Sequence, residues 1–371
     1  MSPSDRCRSA PARFLAALCL AMLLAGCGIP LGSSPAASSG GTSAPPVLPG
    51  CLLMQRSNPT VALLQGPGTS LVLGDGAVLW AFSGATVTNA MSPTGSVGAV
   101  VTDDPAGECF PATSVRLGQP LFASSPLGSE YLIAPLDMVR VARDAHDLPA
   151  RGDAIWAYYQ LIAFDSSAPL GVKVEGTGVA PYDDATGQFV PTANILWAGD
   201  ALPFGSSAVA VGSEVYTYAC ASDMNGNPVC YGARVEGRSI ADPGAYEFAR
   251  GAGFYTSDVT AALPVLDGPG SLSVRLHRSG RWLATYVAPL DSVVKVRSAL
   301  TPFGPFSEEH ELFTCQLGKG DFCTGGNQHP EVDPTADTIA VSYAAATFSE
   351  EGAGSRYWPR LAFVTLPESL P

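Results

Sequence analysis

The chain has 371 residues, and its 40 glycines and 32 prolines make up roughly 19% of it, against ~12% in average proteins, which excludes a mainly helical fold. Charged residues are only 14% and hydrophobic ones 46%, so apolar material for a large core is ample and disorder of the whole chain is excluded as well. The formal charge of −13, with no local run of Lys or Arg, leaves no basic footprint for nucleic acid.

Residues 1–26 read as a removable export signal: Arg6, Arg8 and Arg13 precede an apolar run from Phe14 to Leu24 that is too short to span a bilayer. The run ends in Leu24-Ala25-Gly26-Cys27, the spacing of a bacterial lipoprotein signal with Cys27 as the lipidated residue. Gly28 follows it, as in the outer-membrane-directed class, so the expected location is the cell envelope, held to the membrane by the lipid. Loss of the segment's net +2 leaves the mature part at −15. Cys27 and the uncharged Ser/Gly/Pro-rich stretch up to Gly50 form a tether with a reach of ~25–30 Å. No second linker interrupts residues 51–371, which are expected to form one domain.

Six cysteines remain after Cys7 and Cys19 leave with the signal and Cys27 is lipidated, and an even number in an exported protein suggests disulfides. Cys220 and Cys230 bracket one turn, Cys315 and Cys323 another, and local pairing of each leaves Cys51 with Cys109. Zinc is the competing reading, but there is no CxxC pair and no His at finger spacing. No motif calls for a cofactor.

The domain reads as all-β. One strand type recurs, a turn with Asp or Gly followed by five to seven apolar and aromatic residues. It occurs as DGAVLWAFSG from Asp75, GDAIWAYYQL from Gly152, GSEVYTYACA from Gly212, SGRWLATYVA from Ser279 and ADTIAVSYAA from Ala336. Copies lie about 65 residues apart, room for four short antiparallel strands each, which predicts a five-bladed β-propeller of four-stranded antiparallel blades. Strands such as CYGARVEG from Cys230 and VVKVRSAL from Val293 would follow outward. The competing architecture is a β-sandwich whose strands share this composition.

These motifs, together with WAGDALPFGSSAVAVGSEVYTYAC, the Arg297-to-Ser307 segment ending in Gly-Pro-Phe-Ser, and His329-Pro330-Glu331, resemble bacterial five-bladed propeller domains of uncertain function related to furanosidase-type glycoside hydrolases. The similarity covers most of residues 60–350. It implies an axial funnel in which carboxylates on different blades meet a sugar. Where that family often shows Phe-Gly-Asp-Thr, this chain has Phe82-Ser83-Gly84-Ala85, so one expected carboxylate is missing.

The remaining acids that could face the funnel are Glu175, Asp200, Glu247 and Glu331, since a glycosidase needs two carboxyl groups ~5–9.5 Å apart. His329, in the motif carrying the resemblance, and Trp197, beside Gly199 and Asp200, are the expected ligand contacts. Other aromatics of the repeat, among them Trp80, Tyr158 and Trp282, read as inter-blade packing. No GxSxG or HExxH motif occurs, and the G-x-G pieces read as turns. The expected function is a lipid-anchored, carbohydrate-active, glycoside-hydrolase-like propeller. The alternatives are a glycan-binding module without chemistry or an envelope scaffold that holds protein partners on its rim.

Overall fold

The structure, a computed structural model, describes residues 47–52, 63–64, 67–82 without 75, 86–87, 99–102, 121–125, 128, 131–142, 153–165, 167, 172–333 without 193 and 252, 335, 337–347, 358–367 and 370. The signal, Cys27, Gly84 and Cys109 lie outside these residues, as does the side chain of Cys51, so the Cys51–Cys109 pairing does too.

Antiparallel sheets follow one another along the chain. The first contains Thr69–Val72, Val78–Ala81 and Ala99–Thr102 in that order. The second runs Tyr131–Val141, Ala154–Phe164, Val172–Asp183 and Gln188–Phe189, with Trp197–Ala198 also on the third strand. In the third, Ser207–Val211, Glu214–Ser222 and Pro228–Glu236 are followed by the short strands Glu247–Ala249, Tyr255–Thr256 and Pro264–Asp267. The fourth is Ser271–Leu276, Trp282–Val287, Val293–Ala299 and His310–Thr314. The last orders Asp321–Gln328, Thr338–Thr347 and Trp358–Thr365, and is completed by the N-terminal strand Val47–Leu52, which reaches into the stretch read as tether. A small ladder pairs Leu63–Leu64 with Thr86–Val87.

The propeller class is as the sequence predicts, but the uniform four-stranded blade is not. Four sheets reach four strands or more, whereas the sheet at Thr69 has three among the described residues. The excess in the third sheet comes from the turn-rich segment 237–267: Glu247–Ala249 pairs with Pro228–Glu236 and Tyr255–Thr256 with Glu247–Ala249, while Pro264–Asp267 pairs with Pro228–Glu236 directly.

All five copies of the repeated motif are second strands of their sheets. Their unbroken apolar character follows from burial on both faces. Along Trp282–Val287, Leu283 and Val287 enter one core cluster while Trp282, Ala284 and Tyr286 enter another. The core is thus divided into wedges between neighbouring sheets. Tyr159, Leu79 and Phe122 fill the wedge between the first and second sheets, and Tyr158, Val215 and Phe248 the next. Trp80, Ala340 and Leu361 join the last sheet to the first.

Both disulfides among the described residues are the local pairs expected, Cys220–Cys230 and Cys315–Cys323. Three of the first strands, Thr69–Val72, Ser271–Leu276 and Asp321–Gln328, in contrast carry several Ser, Thr or Gly residues, while Tyr131–Val141 is long and mostly apolar. Gly205 (φ +114°) brings the chain onto the axis before Ser207: a Cβ there would sit 2.5 Å from Cβ of Tyr158, so only glycine allows the approach.

Candidate functional site

The first strands meet around the axis in one hydrogen-bonded layer. Asp137 lies where the register of Tyr131–Val141 shifts between Pro135 and Met138. Its side chain enters the axial layer and bonds to three other first strands. It is 3% exposed. Its Oδ1 accepts from Thr69 Oγ1, from the Met138 N–H at 2.8 Å and from Arg275 Nη2 at 2.9 Å. Its Oδ2 accepts from the Ala208 N–H at 2.7 Å and lies 2.9 Å from Arg275 Nη1. The Arg275 guanidinium also donates to Ser207 Oγ at 3.2 Å and to the Val274 carbonyl at 3.0 Å. Ser207 Oγ in turn accepts the Val274 N–H at 2.8 Å. A bidentate carboxylate–guanidinium pair, sealed by neutral donors, therefore ties four first strands together.

The circuit continues through the last sheet. Gln328 Nε2 donates to the carbonyls of Ser273 at 3.0 Å and Leu283 at 2.9 Å, and its N–H to Ser273 Oγ at 3.1 Å. His329 is completely buried, with Nε2 2.7 Å from Ser342 Oγ and Nδ1 against Ser70 Oγ. Its ring centroid is 4.2 Å from that of Trp80. Ser70 also donates to Glu331, which opens the short helix Pro330–Val332. Burial holds the His329 imidazole below its ordinary value, against the opposing pull of Glu331. Asp333 follows that helix, accepts the Ala340 N–H at 2.7 Å, and is pushed up to about 6 by burial.

Of the residues singled out in the sequence, His329 and Glu331 come together at the seam between the first and last sheets. The other three acids sit on outer strands or loops. Glu175 lies on the third strand of its sheet, 3.1 Å from Lys173 Nζ. Asp200 is exposed in the turn after Trp197–Ala198. Glu247 begins a fourth strand and accepts from Arg234 Nε at 2.8 Å.

Trp197 offers no open ring face. It is 6% exposed, because the loop from the second to the third sheet folds back and packs it 5.3 Å from Phe204 and 4.9 Å from Tyr246. His329, expected as a ligand contact, has both nitrogens committed to serines within the fold.

Asp137 and Arg275 were not singled out from the sequence. The signal that could have found them is a lone acid in YLIAPLDMVRV and a lone Arg in SLSVRL, since a charge inside a buried strand needs a partner. Glu309 receives the Tyr286 phenol at 2.7 Å and pairs with Lys295 at 2.9 Å. These contacts hold its carboxyl below the usual range despite partial burial.

No protein-family model matches the sequence, and no curated protein does. Solved structures do share its architecture. One, from Bacteroides ovatus and provisionally described as a hydrolase, is 12% identical with a TM-score of 0.54, over 84% of this chain and 93% of its own. The GH43_1 enzyme from Xanthomonas citri complexed with xylose is 14% identical with a TM-score of 0.51, over 87% and 95%. Its xylotriose complex has the same identity and score over 97% and 98%. These likenesses establish a propeller fold of the kind found in furanosidase-type glycoside hydrolases.

Proposed function

We propose that this chain is a lipid-anchored envelope protein carrying a five-bladed propeller on a glycoside-hydrolase scaffold, and that it binds carbohydrate without cleaving it. The observation that carries the reading is the state of Asp137. Glycoside cleavage requires one carboxyl group that holds a proton and a second that is free to accept one or to attack carbon. Asp137 is the carboxylate at the axis, and its oxygens already accept from Thr69, Met138, Ala208 and Arg275. Together with Gly84 in place of the family's acid, this leaves no working pair at the axis among the described residues.

Support for the blade count comes from the five repeated second strands and from the core wedge that joins the last sheet to the first. Support for carbohydrate comes from neighbours of like fold, one of which is described in complex with xylose and with xylotriose. The signal ending in Cys27 and the tether behind it support the anchor.

Two measurements test the proposal. Isothermal titration against neutral oligosaccharides should give saturable binding, while reducing-end assays on the same sugars should give no product. Turnover of any of them would overturn the non-catalytic reading. Cys27→Ser should move the protein from the membrane to the soluble fraction, and unchanged fractionation would refute lipidation.

A further inference from the structure

The carbohydrate reading leaves open where a sugar would sit, since the axial layer is buried. Among the described residues a second polar and aromatic group lies off the axis, on the lower part of the third sheet. Tyr216, Arg234 and Glu247 are direct lateral neighbours on three consecutive strands, and Glu214 lies two residues from Tyr216 on the same face.

The Arg234 guanidinium lies 3.7 Å above the centroid of the Tyr255 ring. It reaches Glu247 Oε2 through Nη2 at 2.7 Å and Glu214 Oε1 through Nη1 at 3.4 Å. Tyr216 donates its hydroxyl to Glu214. Phe303, from the neighbouring sheet, backs the group, with its ring centroid 5.6 Å from that of Tyr216 and 6.1 Å from that of Tyr255, edge-on to each. Unlike the axis, this group meets solvent: the Glu247 side chain is 50% exposed and that of Glu214 39%.

We propose that this ledge of Glu214, Tyr216, Arg234, Glu247 and Tyr255 is the carbohydrate-binding surface, and that it takes neutral oligosaccharides. The inference rests on the carbohydrate reading above and gives it a site. The two carboxylates keep acceptor capacity toward solvent after bonding Arg234 and Tyr216, which suits paired sugar hydroxyls. The guanidinium has five N–H groups, of which its contacts with the two carboxylates use three, leaving donors toward solvent. Tyr216 and Tyr255 add half-exposed aromatic surface for sugar C–H groups. Two carboxylates against one guanidinium leave the ledge at −1, which disfavours uronates and sulfated glycans. Rigid strands hold every member, so little ordering is needed on binding.

The test is titration of the whole mature protein with xylo-, arabino-, cello- and galacto-oligosaccharides of up to six sugars. Glu247→Gln and Tyr216→Phe are near-isosteric, and circular dichroism and melting curves verify that both fold. Glu247→Gln should weaken the best ligand about tenfold, the loss expected for one hydrogen bond to a charged group, and Tyr216→Phe, which keeps the ring but frees Glu214, by about threefold. The axial variant Ser70→Ala should stay within about twofold of the wild type. If the ledge variants bind as the wild type does while Ser70→Ala loses affinity, the sugar sits at the axis and the inference fails with the carbohydrate reading intact. If the wild type binds none of the panel, that reading falls and the ledge with it.

Discussion

Replacing Arg275 by alanine is the sharpest test of the sealed axis. The substitution removes both charge-assisted contacts to Asp137, at 2.9 Å each, and leaves the carboxylate 3% exposed with only Thr69 and two backbone N–H groups. Desolvation of an unpaired carboxylate at such a site is costly, and breaking a buried pair from one side destabilises by about 3–5 kcal/mol. For a domain of this size that is a fall in melting temperature of roughly 5–8 °C.

The cost belongs to the stranded charge more than to the lost attraction. Pairing Arg275→Met with Asp137→Leu should therefore recover most of it, because apolar replacement of both members of a buried pair is often near neutral. Urea unfolding of the wild type, both single variants and the double variant closes the cycle and isolates the coupling. A cost below about 1 kcal/mol for Arg275→Ala, with no recovery in the double variant, would mean that water reaches Asp137 and would refute the sealed axis.

Asp333 has a folded-state value of about 6 against an ordinary 3.8, so the native state holds its proton more tightly than the unfolded chain does. The stability this contributes is present below pH ~4 and is lost as pH rises through about 6, by ~3 kcal/mol at most and less after screening by solvent. Asp333→Asn, which can still accept the Ala340 N–H, should flatten the melting temperature between pH 4.5 and 7.5, and an unchanged slope would place the titration elsewhere. Leu290 is exposed at φ 60° in the Ala288–Asp291 turn, so Leu290→Gly should raise stability by roughly 0.5–1 kcal/mol, read as a small rise in melting temperature. Opening Cys220–Cys230 by a double alanine substitution frees a loop spanning 10 residues and should cost ~2–3 kcal/mol in urea, with a smaller loss pointing to residual order in the reduced unfolded chain.

The repeated strands were legible because geometry makes them so. A second strand lies between two core wedges, and VLWA, IWAYY and, but for Thr285, WLATYV are therefore apolar along their length instead of alternating. First strands carry the opposite signal. They line a polar axis, so TSLV, SAVAV and the GGNQ at the end of Asp321–Gln328 look like loops, whereas Asp137 and Arg275, which join the sheets, stand as isolated charges within YLIAPLDMVRV and SLSVRL.

Glu247 is legible as a candidate acid, but its partner Arg234 is 13 residues away and is brought opposite by strand register, which spacing along the chain does not display. Trp197 shows the converse error. Its Gly- and Asp-rich surroundings suggest an open loop, yet Gly199 is what lets the segment lie against the neighbouring strand, since a Cβ there would come within 1.9 Å of the Val174 carbonyl oxygen. The feature read as openness is the one that closes the indole into the core.

The distribution of carboxylates bears on chemistry as well as on stability. Hydrolysis asks one region of the molecule for a protonated acid and a free base across an open cleft. Here those properties are separated. Asp137 is at the axis but saturated by donors, and Glu331 is tied to Ser70 at the seam. Asp333 takes up a proton as pH falls through about 6 but is bonded to its own sheet, while Glu214 and Glu247 face solvent across a guanidinium that neutralises part of their charge. Two of these groups, Asp137 and Glu331, hold first strands or the seam together, and a side chain with that duty cannot move to receive or deliver a proton without loosening the ring. The ledge carries no such burden, since its sheet is already closed by backbone pairing. Its groups are the ones most able to exchange partners with a ligand, which favours recognition on the ledge over catalysis at the axis.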